Sequence, residues 1–200
     1  SSVAFTAYGF ALAHYYRGRI ENARREFEAY GEEILNLGLP AFAIEAFLMA
    51  GECTLRQGDL EEFRRIAARL ARPDLAEGRK ARPVRVKVLD AINSLLRDET
   101  AAAMDAFASA LGPAGSGEII EEALLLHIVH FYWGIALRVC GDRGGGDDHL
   151  RLSREFLERH HLKARLSVLS EAERELAETL ARALQAPKRA AVKSPAARPR

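Results

Sequence analysis

Residues of similar character return in one pattern every 40 residues along the first half of the chain, and a repeat of this length restricts the folds open to it. In each unit a turn residue is followed by side chains 2, 5, 9 and 12 positions later, which lie on one face of a helix. The turn residues are Gly18, Gly58 and Asp98. The pattern predicts antiparallel helix pairs, each bent back at its turn.

A small residue stands seven positions before each turn, and a small side chain there lets two helices cross closely. These residues are Ala11, Gly51 and Ala91. The positions after the turns are filled by Ile20, Ala23, Phe27 and Tyr30 in the first unit, by Leu60, Phe63, Ala67 and Leu70 in the second, and by Thr100, Ala103, Phe107 and Ala110 in the third.

A fourth unit begins in the same way, with Gly134 seven residues before Gly141. The next segment, 142–148, contains three consecutive glycines, which favour a flexible insert between helices rather than a calcium or phosphate loop. With Asp148 as the turn residue, the expected positions hold Leu150, Ser153, Leu157 and His160.

These signals predict an all-α protein without strands, because no segment alternates for long between apolar and polar residues. Ser170 and Glu173 resemble a capping box at the start of a last helix. Beyond residue 185 the chain has little to bury, so residues 186–200 are predicted to form a disordered basic tail. The helices are predicted at 3–17, 20–37, 41–56, 59–71, 83–97, 99–111, 118–140, 149–160 and 171–185.

Basic residues are concentrated in two stretches, 79–87 and 186–200, which hold five each and no acid, while the other 176 residues carry a net charge of −9. Aromatic residues do not interleave with the first stretch, so a solvated linker leading into a helix is favoured over a nucleic-acid surface. Pro83 is expected to open the helix that follows.

Side chains that could carry chemistry are few. Cys53 and Cys140 are far apart and are predicted to be buried thiols in a reducing compartment. His127 and His130 share a helix face without a local third ligand, which favours a core or interface pair over a metal site. No catalytic constellation is recognised, so no enzyme activity, cofactor or metal is expected.

The arrangement of Ala11, Gly18, Ala23 and Phe27 resembles the tetratricopeptide repeat (TPR) pattern of a small residue, a turn glycine, an alanine and an aromatic residue. The resemblance covers roughly residues 3–160, with units longer than the usual repeat of about 34 residues. It is closest to divergent, long-period arrays in bacterial signalling and regulatory proteins. It implies an α-solenoid of about four hairpins with a C-terminal helix over residues 1–185.

The resemblance to TPR proteins implies a protein–protein interaction scaffold that binds a partner helix or peptide on its concave face. That face is apolar enough to favour an amphipathic helix, either from a partner or from the chain's own 171–185 segment. An alternative is a regulatory or sensor segment of a larger bacterial signalling ATPase, kinase or transcription regulator. By register, the concave face comprises Tyr8, Leu12, Tyr15, Tyr16, Glu45, Leu48, Glu52, Arg56, Arg85, Val88, Ile92, Phe131, Ile135 and Arg138.

The longest central stretch without formal charge, 123–137, is too short to span a bilayer, and no secretory signal is recognised. A cytoplasmic protein with no membrane partner is therefore expected. Because the sequence starts at Ser1 rather than at a methionine, we expect a processed chain or a fragment of a longer protein.

Overall fold

The structure is a computed structural model that describes residues 2–81, 83–112 and 120–185. Throughout these ranges the chain is helical and contains no strand, which confirms the all-α prediction. The helices are α1 (Ser2–Tyr16), α2 (Ile20–Asn36), α3 (Pro40–Gln57), α4 (Leu60–Leu70), α5 (Ala76–Ala81), α6 (Pro83–Leu96), α7 (Thr100–Leu111), α8 (Ile120–Val139), α9 (Arg143–Arg159) and α10 (Lys163–Gln185), with a short 3₁₀ turn at Pro73–Leu75.

Six turns of the described residues hold a residue with positive φ, and each leads into a helix that begins two residues later; four of them are the turns of the repeat. Gly18, Gly58, Asp98 and Gly141 all have positive φ, between 66° and 100°. Glycine adopts this left-handed region without steric penalty, and aspartate tolerates it better than most residues. The helices that follow are α2, α4, α7 and α9, so the repeat predicted from the sequence is present in the backbone, including the unit in which Asp98 replaces glycine.

The small residues before these turns lie in the core, as the sequence predicts. Ala11 and Ala91 are fully buried. A methyl group added at Gly51 would have Phe63 and Ile66 of α4 as its nearest neighbours, at 3.7 Å. A methyl group added at Gly134 would lie 2.7 Å from Leu150 of α9, so α8 and α9 cross more closely than α3 and α4.

The prediction of a flexible insert at 142–148 is wrong, because residues 143–148 form the first turns of α9. The Asp142 side chain accepts a hydrogen bond from the backbone N–H of Gly145 (3.0 Å) and caps the helix. Counted from Gly141 without any shift, Gly146, Leu150 and Ser153 stand at offsets 5, 9 and 12, and all three are buried. The glycines serve close packing, since a methyl group on Gly146 would lie 2.8 Å from the Gly134 carbonyl oxygen.

The basic stretch after α4 is also more structured than the predicted linker. The 3₁₀ turn and α5 pack on α3, and a side chain at the buried Gly78 would run into Pro40 and Ile44. Arg79 donates a hydrogen bond to the Leu70 carbonyl oxygen (3.3 Å). Lys87 bonds the Ser109 carbonyl oxygen (3.0 Å), so cations of this stretch make contacts within the chain.

The last helix begins eight residues earlier than predicted, at Lys163 instead of 171. Ser170 is exposed within α10 and starts no helix, so the predicted capping box is wrong. α10 lies against α1, α3, α6, α8 and α9. It therefore contacts the helix that precedes the turn in every one of the four pairs.

The two thiols differ in exposure. Cys53 is buried, as predicted, but Cys140 is exposed because it follows the end of α8, where the chain turns. The predicted tail, 186–200, lies outside the described residues. Within the described part, no helix is both long and apolar enough to cross a membrane.

Candidate functional site

The main candidate site is the surface of α1, α3, α6 and α8 on which α10 lies, called here the α10 seat. α10 is amphipathic, and its apolar residues recur at helical spacing toward this surface. Burial of an apolar side chain stabilises by about 1.5–3 kcal/mol, so the stripe supplies most of the attachment. Its buried members are Val168, Leu169, Ala172, Leu176 and Leu180.

A buried polar group, the Glu52 cluster, lies where α10 meets α1, α3 and α8. It consists of Tyr15, Glu52, Tyr132 and Arg165. The Tyr15 hydroxyl donates a hydrogen bond to Glu52, and Arg165 of α10 lies 4.0 Å from the same carboxylate. Burial, reinforced by the charge of Glu52, raises the pKa of both Tyr15 and Tyr132. Both phenols therefore remain protonated and can act as donors.

Arg56 anchors the other side of the seat. Its side chain is 1% exposed, and its Nε donates a hydrogen bond to Glu175 of α10 (2.7 Å). The guanidinium also lies 4.9 Å from the centroid of the Tyr15 ring, a cation–π distance. The two terminal amino groups have no hydrogen-bond partner among the described residues, and Nη2 is 3.7 Å from Glu171. Leaving buried donors unpaired costs about 1–3 kcal/mol.

Acidic residues of α10 also meet cations of the body at the edge of the seat. Glu173 pairs with Arg138 and with Arg154, the latter at 2.9 Å. Arg138 is shared with Asp147 (2.6 Å). Exposed pairs such as these stabilise by about 0–1 kcal/mol each. They therefore add little to the attachment of the helix and mainly favour one charge pattern and one register.

Beside α10 an apolar cleft lies between α3, α6 and α8. Its free volume is about 30 Å³, roughly the space of one water molecule, so its lining is already closely packed. Its polar members are Glu52, Tyr132 and Arg85, and Arg85 is held by Glu45 at 2.9 Å. The apolar lining consists of Leu48, Leu55, Phe63, Val88, Leu89, Ile92 and Ile128.

The structure brings most of the predicted concave-face residues to these two places. Tyr15 and Arg56 are buried under α10, and Glu52 beside them is half-buried. Arg165 lies 5.9 Å from the Tyr16 ring centroid. Leu48, Glu52, Arg85, Val88 and Ile92 line the apolar cleft. Phe131 borders a smaller cavity of about 10 Å³ against α10, and Arg138 forms an ion pair with Glu173.

Three predicted residues are placed less favourably for a partner. Ile135 is fully buried. Leu12 is partly buried against the core. The Tyr8 ring packs on Phe27 and Tyr30, with centroids 5.4 and 5.3 Å away. The register predicts which helix faces inward, but aromatic packing between α1 and α2 decides where an individual side chain points.

Sequence reasoning missed the partners that α10 and α8 contribute, namely Arg165, Glu171, Glu175 and Tyr132. Charge complementarity could have found the two glutamates, since they stand one helical turn apart and can face one cation. No sequence signal marks Arg165, because an arginine in an amphipathic helix is usually solvated.

The histidines of α8 form a separate cluster at the interface with α9. His127 bonds Ser153 through Nδ1 (2.7 Å), and the Nδ1 atoms of His130 and His149 are 2.7 Å apart. His127 and His130 are buried, which confirms the predicted core or interface pair. Across the described ranges, no three His, Cys, Asp or Glu side chains are grouped as a metal ion would need.

The chain was compared with models of protein families, with curated proteins and with solved structures, and no match was found. The resemblance to TPR proteins therefore rests on the residues that carry it.

Proposed function

We propose that the chain is a TPR-like scaffold that binds an amphipathic helix on the surface formed by the first helices of its four pairs. The observation that carries this proposal is the position of α10, an amphipathic helix that lies across α1, α3, α6 and α8. A surface that accepts one such helix has the shape and charge to accept another of the same kind.

α10 indicates the chemistry of such a partner. It combines an apolar stripe at helical spacing with glutamates that meet Arg56, Arg138 and Arg154. We therefore expect an amphipathic helix whose carboxylates face these arginines, with one of them near Arg56 and an apolar side chain against the mouth of the apolar cleft. Buried apolar anchors combined with Arg and Tyr are typical of interface hot spots.

The proposal describes a binding protein rather than an enzyme, and a cytoplasmic one. Cys53 and Cys140 are free thiols, which suits a reducing compartment. The contacts of Arg79 and Lys87 within the chain favour a protein partner over nucleic acid.

A second candidate function is a regulatory or sensor segment that binds a small apolar molecule. The apolar cleft favours it, because a mostly apolar lining with a few polar side chains is typical of ligand pockets. A small ligand would need only the cleft, whereas a helix would need the cleft and the α10 seat together. Tyr16 and Arg56 do not line the cleft, so their replacement separates the two candidates.

The test begins with the full chain, in which a photo-cross-linking phenylalanine derivative replaces Leu48. This residue lines the cleft. A matched derivative at the exposed Arg64 on α4 is the control. A helical segment cross-linked from position 48 is then made as a peptide, and its affinity is measured by calorimetry. We expect at least a tenfold loss of affinity in a folded Tyr16→Ala, Arg56→Ala double variant.

A matched pair of outer-face substitutions, Arg25→Ala with Arg64→Ala, should leave that affinity unchanged, since both side chains are exposed. Circular dichroism checks that each variant is folded. Cross-linking from position 64 in place of 48, or unchanged affinity in the folded inner-face variant, would contradict the proposed binding surface.

A further inference from the structure

We infer that α10 is a displaceable strap, and that the helix that replaces it carries a carboxylate binding both terminal amino groups of Arg56. This inference rests on the proposed function and specifies its regulation. While α10 is docked, it covers the buried part of the site, and the apolar cleft lies beside it.

The first observation is that α10 leaves its main cation incompletely bonded. Glu175 accepts a hydrogen bond only from the Nε of Arg56 (2.7 Å), and the carboxylate of Glu171 lies 3.7 Å from Nη2. Within the part of the chain that the structure describes, Nη1 and Nη2 are buried without a hydrogen bond. A carboxylate can bind a guanidinium through two parallel hydrogen bonds, so a helix with an acid in that position would satisfy Arg56 better than α10 does.

The second observation concerns Arg165, the cation that α10 inserts. It meets Glu52 at 4.0 Å, beyond hydrogen-bond distance. Glu52 already accepts a hydrogen bond from Tyr15 of α1. When α10 leaves, Glu52 therefore keeps the hydrogen bond from Tyr15. This bond lowers the free-energy cost of opening the site.

The third observation is the attachment of α10 to the body. A turn at 160–162 joins α9 to α10, and His161 has a positive φ of 55° there. A short tether holds a bound segment at an effective concentration in the millimolar range. A competing helix must overcome this local concentration, so weakening α10 should raise the affinity for the competitor.

The experiment uses the full chain and, as probe, a fluorescent peptide with the sequence of residues 163–185. Leu180→Asp in the chain places a charge in the buried stripe of α10 and should loosen the strap without touching Arg56. We expect peptide affinity to rise at least tenfold over the unmodified chain. Ala183→Asp on the same helix, at a half-buried position, is the matched charge control and should raise it far less.

Arg56 is tested in the Leu180→Asp background. Arg56→Lys keeps the charge but removes the Nε that Glu175 of this sequence binds and the planar pair of terminal amino groups beside it, and we expect it to lower peptide affinity at least tenfold. Arg64→Lys, on the exposed face of α4, should have no effect. An affinity that is the same with and without the Arg56→Lys substitution would overturn the role assigned to the guanidinium.

Hydrogen exchange of the unmodified chain gives an independent readout if Leu180→Asp prevents folding. Amides of α10 should exchange at least tenfold faster than those of α3, because a strap opens without global unfolding. Equal protection of α10 and α3 would make α10 a permanent part of the core and overturn the inference. Equal peptide affinity in the unmodified chain and in the Leu180→Asp chain would also overturn the inference. That outcome would not contradict the proposed helix-binding function.

Discussion

His130 and His149 face each other across the α8–α9 interface with their Nδ1 atoms 2.7 Å apart. Such a hydrogen bond needs one ring nitrogen with a proton and one without, so the imidazole that accepts the bond is neutral. Burial, aided by His149, lowers the pKa of His130 to about 4. Burial, with Arg165 and Arg85 adding to it, lowers the pKa of His127 to about 3. Burial also lowers the pKa of His149, against Asp148 and Asp142.

Acid should therefore destabilise the fold. In the unfolded chain these histidines titrate near about 6.5, so below that pH the unfolded state binds more protons than the folded state and stability falls toward pH 4. His127 alone should account for roughly 2 kcal/mol between about pH 7 and pH 5. Urea unfolding at the two pH values measures the loss. His127→Gln should reduce it, His161→Asn at an exposed turn should not, and a pH-independent midpoint would contradict the assignment.

Two helix crossings should respond differently to the same substitution. Gly51→Ala should be neutral or stabilise by up to about 1 kcal/mol, because the added methyl meets Phe63 and Ile66 at ordinary distance (3.7 Å) and alanine favours helix. Gly134→Ala should destabilise by about 1–3 kcal/mol, since its methyl would lie 2.7 Å from Leu150. Gly51→Leu should overpack to a similar extent. Denaturant midpoints test all three, and a Gly51→Leu chain that melts like the parent would refute the register.

The two thiols should react at very different rates. Cys140 is exposed, whereas Cys53 is buried and burial raises its pKa well above the usual range. One equivalent of a thiol reagent should therefore react quickly with the native chain, and a second only on unfolding. In Cys140→Ser the fast equivalent should disappear. Two fast equivalents in the native parent chain would show that Cys53 is reached without unfolding.

Removing residues 187–200 should leave the melting temperature almost unchanged. They are mostly Pro, Ala, Lys and Arg, with a single valine, and so offer little apolar surface to bury. Thermal unfolding of the shortened and full chains measures the difference. A fall of several degrees would mean that this stretch packs on the helices.

The 40-residue spacing predicted the helix pairs well, because the turn residues and the buried core residues stand at fixed spacings within each unit. Gly18 and Gly58 adopt the left-handed conformation that glycine favours, and Phe27 and Phe63 are fully buried. The fourth unit was misread because three glycines in a row suggest flexibility. At Gly146 the requirement is proximity to Gly134, and proximity between helices has no local signature.

The candidate site was predictable only in part for the same reason. Repeat register placed Glu52 and Arg56 on the inner face, but their partners depend on how α10 returns to that face. Glu175 stands 119 residues after Arg56, and no spacing rule connects them. The start of α10 was missed because residues 163–170 begin a helix without a capping signal, and contacts with distant helices replace it.

Contacts over such separations also bear on how the chain folds. Most other contacts join helices that are neighbours in sequence, and arrays of that kind unfold unit by unit. α10 links residues more than 100 positions apart, as in Arg165 with Met49 (116 residues) and Arg56 with Glu175 (119 residues). While α10 is docked, it joins the first described pair to the fourth and closes the described helices into a ring of contacts. Displacement of α10 opens that ring and leaves a row of pairs that contact mainly their neighbours, so a competing helix would change the stiffness of the whole array as well as the occupancy of one surface.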